Sequence, residues 1–156
     1  MKIQLIAVGK HMPEWVNKAY VDYAKRLPRE YNLQLIEVSA QKRAKNSNIE
    51  QLMQREGEEI LMHIQANHFV IALDVRGQMF DTPSLAQQLY RWQHAGRDIS
   101  MIIGGPDGLA HSCLARAQLR WSLSPLTMPH PLVRIVVIEQ LYRAWSILAG
   151  HPYHRS

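Results

Sequence analysis

Short apolar blocks alternate along the chain with polar segments that carry apolar residues at helical spacing. Lys2 to Val8 is a run of branched apolar residues ended by Gly9, which predicts a strand. Pro13 opens a segment in which Trp15, Ala19, Tyr23 and Leu27 recur with helical spacing until Pro28 stops it. Leu33 to Val38 predicts a second strand. Ser47-Asn48-Ile49-Glu50 then has the Ser-x-x-Glu form of a capping box, leading a helix with Leu52, Met53, Glu56, Ile60, Leu61 and Ile64. Phe69 to Asp74 predicts a third strand and Gly77 a turn. Thr82-Pro83 supplies an N-cap and a first-turn proline for a helix bearing Leu85, Leu89 and Trp92 and ending at Gly96. Ile99 to Ile103 reads as a buried strand running into Gly104-Gly105-Pro106-Asp107-Gly108, with a short helix around Ser112 to Leu119. A last short strand falls at Trp121 to Leu123. After Pro129 and Pro131 comes a long helix with Leu132, Ile135, Val136, Glu139, Tyr142, Trp145 and Leu148, capped near Gly150.

Repeated strand and helix units predict a single-domain α/β fold over residues 1–156, a mainly parallel sheet with helices on both faces. At 156 residues and 47% hydrophobic the chain can bury a core of ordinary size, which argues against a disordered tail or linker. No apolar run approaches the roughly 18 residues of a membrane helix. The first apolar block breaks at Gly9-Lys10-His11, too early for a signal-peptide core, so no membrane partner and a cytoplasmic location are expected. The single cysteine, Cys113, is expected in packing. A net charge of +5 favours polyanionic partners.

In parallel sheets ligands bind outside the carboxyl ends of the strands, which directs attention to the loops after Asp74, Ile103 and Leu123. The glycine loop allows backbone groups to approach a ligand closely, although the same residues also suit a tight structural turn. It is neither a dinucleotide fingerprint nor a P-loop. In the loop from Leu123 to Pro131, prolines 125, 129 and 131 stiffen an apolar segment. Its unpaired backbone groups suit the edge of an adenine while Leu126 and Met128 cover its faces, the plain alternative being a rigid connector. His130, His151 and His154 make a poor metal set, because Pro152 disrupts their spacing and no Cys or carboxylate cluster completes it. A serine hydrolase lacks its Gly-x-Ser-x-Gly elbow. Lys42, Arg43 and Lys45 form a basic loop that either follows phosphates or is a solvated connector. Glu139, on a mostly apolar stretch, needs a partner if buried, and Arg143 lies one turn on. Tyr142 and Trp145 have the spacing of core or dimer contacts.

Four segments taken together carry a resemblance: Ile-Ile-Gly-Gly-Pro-Asp-Gly at 102–108, Leu-Ser-Pro-Leu-Thr-Met-Pro-His-Pro-Leu-Val-Arg at 123–134, Glu-Gln-Leu-Tyr-Arg-Ala-Trp at 139–145 and His-Pro-Tyr-His-Arg at 151–155. The chain resembles the large-subunit rRNA pseudouridine-N3 methyltransferases, minimal members of the SPOUT, or α/β-knot, class of S-adenosylmethionine-dependent enzymes. The similarity spans the whole chain and is most specific in its C-terminal third. It implies a C-terminal trefoil knot holding bent S-adenosylmethionine, and a homodimer whose active site draws on both subunits. It also implies methylation of N3 of a pseudouridine in the inter-subunit stem-loop of large-subunit (23S) rRNA, on assembled ribosomes and with small-subunit contacts. By the same resemblance the cofactor falls to Leu73, Gly104, Leu123, Ser124, Pro125, Leu126, Thr127 and Met128. The tail residues Tyr153, His154 and Arg155 are the expected catalytic group, and no metal is implied. Methyl transfer asks mainly for alignment of the methyl carbon with N3 and for loss of the N3 proton. His154 is a candidate to accept or relay that proton and Arg155 to clamp phosphate or base, while no definite base is named. Two other classes are a non-enzymatic ribosome-binding module of the same fold and a SPOUT methyltransferase acting on tRNA.

Overall fold

A computed structural model describes residues 1–154. β1 (Ile3–Val8), an inner strand, is buried at every residue. With β2 (Gln34–Val38), β3 (Phe69–Met79), β4 (Ile99–Ile103) and β5 (Leu119–Ser122) it forms a five-stranded sheet in the order β2-β1-β4-β3-β5, and every pairing is parallel. The helices are α1 (Glu14–Ala24), α2 (Ile49–Met62), α3 (Thr82–Ala95), α4 (His111–Arg116) and α5 (His130–Ala149). Alternate strand residues face opposite layers. Ile3, Leu5, Ile99 and Met101 pack with Tyr20, Leu85, Leu89, Val137 and Leu141 from α1, α3 and α5. Ile6, Val8, Val70 and Ile102 pack on the other side with Ile60 of α2 and Cys113 of α4. Burial on both faces is why these strands read as continuous apolar runs rather than alternating ones.

Several boundaries differ from the sequence reading, each for a local reason. In α1 the buried residues are Val16 and Tyr20, whereas Trp15 is 60% exposed. Val16, Tyr20, Tyr23 and Leu27 form a second stripe at equally good helical spacing, and periodicity alone does not choose between the two. The capping box does not form: Asn48 caps α2 by accepting from Gln51 N at 3.2 Å, while Ser47 Oγ accepts from Ala44 N. Asp81, not Thr82, caps α3, accepting from Ser84 N at 2.8 Å. Leu119 belongs to β5 rather than to α4. Along α5 the buried residues include Arg134, Val137, Ile138, Leu141 and, as expected, Tyr142, whereas Leu132 and Leu148 are partly exposed.

Gly77 marks no turn. β3 continues to Met79, with a slip of register between Leu73 and Gln78, both of which pair with Trp121. Residues 74–77 bulge out of the ladder, and Gly77 brings the chain back onto β5. A Cβ there would lie 2.6 Å from the backbone carbonyl of Arg120. Gly77→Ala should therefore lower stability by about 1–3 kcal/mol, seen as a drop in melting temperature.

Under the amino ends of the central strands lies a buried polar cluster. Gln4 Nε2 donates to Ser100 Oγ at 2.8 Å and to the His63 carbonyl at 2.9 Å, and His68 Nδ1 lies 2.7 Å from the same hydroxyl. Burial pushes the His68 pKa below its ordinary 6.5. The unfolded chain then binds the extra proton first, so this histidine's contribution is present above about pH 6.5 and is lost as pH falls below it. His68→Gln should flatten the fall in melting temperature between neutral pH and about pH 5.5.

Candidate active site

Three chain segments meet at the bulge in the middle of β3, where a loop after Asp74 was expected, and beyond the carboxyl ends of β4 and β5, around a cavity of about 540 Å³, within the usual range for small-molecule sites. The β3 bulge contributes Leu73, Asp74, Val75 and Arg76, and β5 contributes Arg120 and Trp121. Residues 103–109 form a second wall. Leu123, Ser124, Leu126, Thr127 and Met128 form a third, closed by His130 and Val133 from the first turn of α5. Pro125, one of the expected cofactor residues, stands outside this lining.

The glycine loop closes on itself. Gly108, at φ 88°, donates its N–H to the Gly105 carbonyl at 3.0 Å, and the two residues form a bridge. A Cβ on Gly104 would fall on the Gly108 carbonyl carbon and 2.7 Å from Leu109 N. Glycine at 104 is thus demanded by the loop's own backbone, not only by ligand approach. In the proline loop Ser124 Oγ accepts from Leu126 N at 3.0 Å, and Ser122 Oγ donates to the Ser124 carbonyl at 3.0 Å. These bonds hold the segment with Leu126 largely exposed beside the cavity.

His130 Nδ1 is buried without a protein partner. Burial, reinforced by the positive charge of Arg134, lowers this histidine's pKa and keeps the ring neutral at neutral pH. The four charged residues of the wall, Asp74, Arg76, Asp107 and Arg120, were not singled out in the sequence as site residues. They stand in or beside the strand-end loops already marked there, and that position was their one available signal.

Arg43 is not a free phosphate contact. Its guanidinium is hydrogen-bonded to both carboxylate oxygens of Glu56, and Nε donates to Asp107 Oδ2 at 3.1 Å. Lys42 and Lys45 beside it are exposed. The basic loop and the glycine loop are therefore physically joined.

Pro152–His154 forms a 3-10 turn folded back on α5. Tyr153 donates its hydroxyl to Glu139 Oε1 at 3.0 Å and lies 4.5 Å, centroid to centroid, from Tyr142. The same Glu139 oxygen accepts from Arg143 Nη2 at 2.6 Å and Nε at 2.9 Å, so Glu139 and Arg143 are partners as their spacing suggests. Burial and the Glu139 carboxylate raise the Tyr153 phenol to about 12. His154 Nδ1 is 3.4 Å from Ser146 Oγ. Tyr142 and Trp145 stack on each other at 5.7 Å. Arg155 lies outside the described residues. The cavity is at the first turn of α5, whereas Tyr153 is held by Glu139 midway along that helix, about 14 Å further on at 1.5 Å per residue. Neither Tyr153 nor His154 lines the cavity. Among the described residues no three His, Cys, Asp or Glu side chains gather as a metal site, and no helix is long and apolar enough to cross a membrane.

Comparisons with known proteins bear on this site. A family profile described as "Predicted SPOUT methyltransferase" matches residues 1–154. The chain is 54% identical over 155 residues to "Ribosomal RNA large subunit methyltransferase H" of Hahella chejuensis, covering 99% of each protein. A solved structure of a probable methylase family protein from Haemophilus influenzae Rd KW20 superposes with a TM-score of 0.59 at 13% identity. That match covers 99% of this chain and 70% of the other and speaks to the fold alone. With the profile matched along the described chain and a full-length relative more than half identical, the chain belongs to the SPOUT methyltransferase family.

Proposed function

We propose that this methyltransferase transfers a methyl group from S-adenosylmethionine to N3 of a pseudouridine in the inter-subunit stem-loop of large-subunit (23S) rRNA. It acts on assembled ribosomes, in the cytoplasm, as a homodimer in which residues 1–156 serve as one domain and the C-terminal region is knotted. The observation that carries the reading is the cavity itself: its walls are the glycine loop and the proline loop, the two segments that resemble the family's cofactor site. The name of the Hahella chejuensis relative supports an rRNA substrate, as does the net charge of +5.

SPOUT methyltransferases use S-adenosylmethionine, and the cavity suits it in kind. Leu73, Leu123, Leu126 and Met128 offer apolar contact, while Gly104, Ser124, Pro125 and Thr127 belong to irregular backbone whose polar groups are not all taken up by the sheet. When bound, the cofactor supplies a methyl group already activated on a sulfonium. The loops hold it in one orientation and shield it from water. The chain's remaining task is to place N3 in line and to receive its proton. His130, kept neutral by burial, stands at the cavity wall with its Nδ1 enclosed on the Gly9 side. Tyr153, His154 and Arg155 complete the site from the partner subunit, a reading supported by Tyr153 and His154 standing outside the lining of their own chain's cavity.

Incubation with labelled S-adenosylmethionine and ribosomes from cells lacking the modification should place label on one pseudouridine of the large-subunit rRNA. Label confined to free tRNA, or failure to take up the cofactor, overturns the assignment. Shared sites also predict complementation. A Gly104→Val chain, with its glycine loop distorted, and a chain lacking residues 153–156 should each be inactive. Mixed and allowed to exchange, they should recover about a quarter of the wild-type rate, because half of the two-fold dimers are then mixed and each holds one complete site. No recovery despite proven exchange would place the tail's action elsewhere.

A further inference from the structure

One side chain ties the basic loop between β2 and α2 to the cofactor-side glycine loop. Glu56 is 2% exposed on the inner face of α2, and a buried carboxylate persists only when paired and hydrogen-bonded. Arg43 supplies the pair, and Gln41 N adds a hydrogen bond to Glu56 Oε2 at 2.9 Å. The guanidinium is further held by the Gln41 carbonyl, an Nη1 acceptor at 2.9 Å. Its Nε points out of this pocket to Asp107, in the middle of the glycine loop. Gly105 meets the same pocket from the other side, where a Cβ would stand 2.9 Å from Val8 Cγ1 and 3.4 Å from Glu56 Oε1. The arginine fork is planar and rigid, so displacement of either loop is felt by the other.

The two ion pairs of Arg43 differ in kind. The Glu56 pair is buried and its loss would threaten the fold. The Asp107 pair has side chains 20% and 38% exposed, and a pair so open to water contributes little to stability. It nevertheless determines where the tip of the glycine loop stands. On either side of Arg43, Lys42 and Lys45 are exposed in a segment without regular secondary structure. Their charge and freedom suit them to follow a phosphate backbone.

Resting on the function proposed above, we propose that Arg43 is a positioning residue that couples RNA engagement to the cofactor cavity through Asp107. Phosphates held by Lys42 and Lys45 order the 41–47 segment, and Arg43 carries that order through Asp107 to the cavity wall. The cofactor, by ordering the glycine loop, prepares the basic segment in return. Such coupling is reciprocal, and each ligand finds part of the ordering already done by the other.

The test is equilibrium dialysis with labelled S-adenosylhomocysteine, which permits no turnover, in the presence and absence of ribosomes lacking the modification. Ribosomes should tighten binding to the wild-type protein by about fivefold or more. Asp107→Ala leaves the Glu56 pair intact, so it should keep the melting temperature, and, whatever its own affinity for S-adenosylhomocysteine as a residue of the cavity wall, that affinity should be the same with and without ribosomes. Asp107→Glu should restore part of the tightening, which a merely structural role would not predict. The double variant Lys42→Ala and Lys45→Ala should weaken ribosome binding and lower its log-log salt slope by about 0.7–0.9 per lost contact. Tightening as large in Asp107→Ala as in the wild type overturns the coupling. So does a wild-type protein that binds both ligands with unchanged affinity. A wild-type protein that binds no S-adenosylhomocysteine overturns the functional reading along with it.

Discussion

The buried guanidinium of Arg134 sets where the last helix lies, and the site takes its shape from that helix. The residue is 1% exposed on the inner face of α5. It donates to Glu37 Oε2 at 2.7 Å and to the Gly9 carbonyl at 3.3 Å, joining α5 to the carboxyl ends of β2 and β1. Those ends are themselves linked, since Gly9 N donates to the Val38 carbonyl at 2.7 Å. Removing one partner of a buried pair of this kind costs about 3–5 kcal/mol, because the remaining charge stays buried and unpaired. One turn before Arg134 stand His130 and Val133, which close the cavity. The proline loop is thereby required to end where the helix begins.

The strand-end loops solve a common difficulty in different ways. Chain leaving a sheet loses its backbone partners and must find others. The glycine loop satisfies itself through its own bridge, at the expense of tolerating no side chain at 104. The proline loop uses the hydroxyls of Ser122 and Ser124 and has fewer N–H groups to satisfy. The β3 strand keeps its ladder by bulging, and so turns Asp74, Val75 and Arg76 toward the cavity. The cavity is thus enclosed by segments each held by local bonds, a preorganised frame for a small ligand.

Midway along α5 the Glu139 carboxylate gathers Arg143 and Tyr153. This cluster holds the tail against its own helix, outside the lining of the cavity.

Elements and caps were readable where the interactions that form them are local. β4 occupies the residues its apolar run indicated, and Gly96 and Gly150 end their helices in the left-handed conformation at φ 71° and 69°. The alternation of strands and helices was sufficient for the α/β class, and the strand-end rule pointed to the loops that line the cavity. The inner stripe of α1, the cap of α2 and the bulge at Gly77 were not readable, because each had a competing local solution that only packing against a distant strand or helix resolves. The same is true of partners. Arg43 meets Asp107 across 64 residues and Arg134 meets Gly9 across 125. Local sequence determines which segments become strands, helices and turns, since their hydrogen bonds close within a few residues. The pairing of charges, the folding back of the tail and the enclosure of the cavity belong to the tertiary structure, because they depend on which strand ends come together.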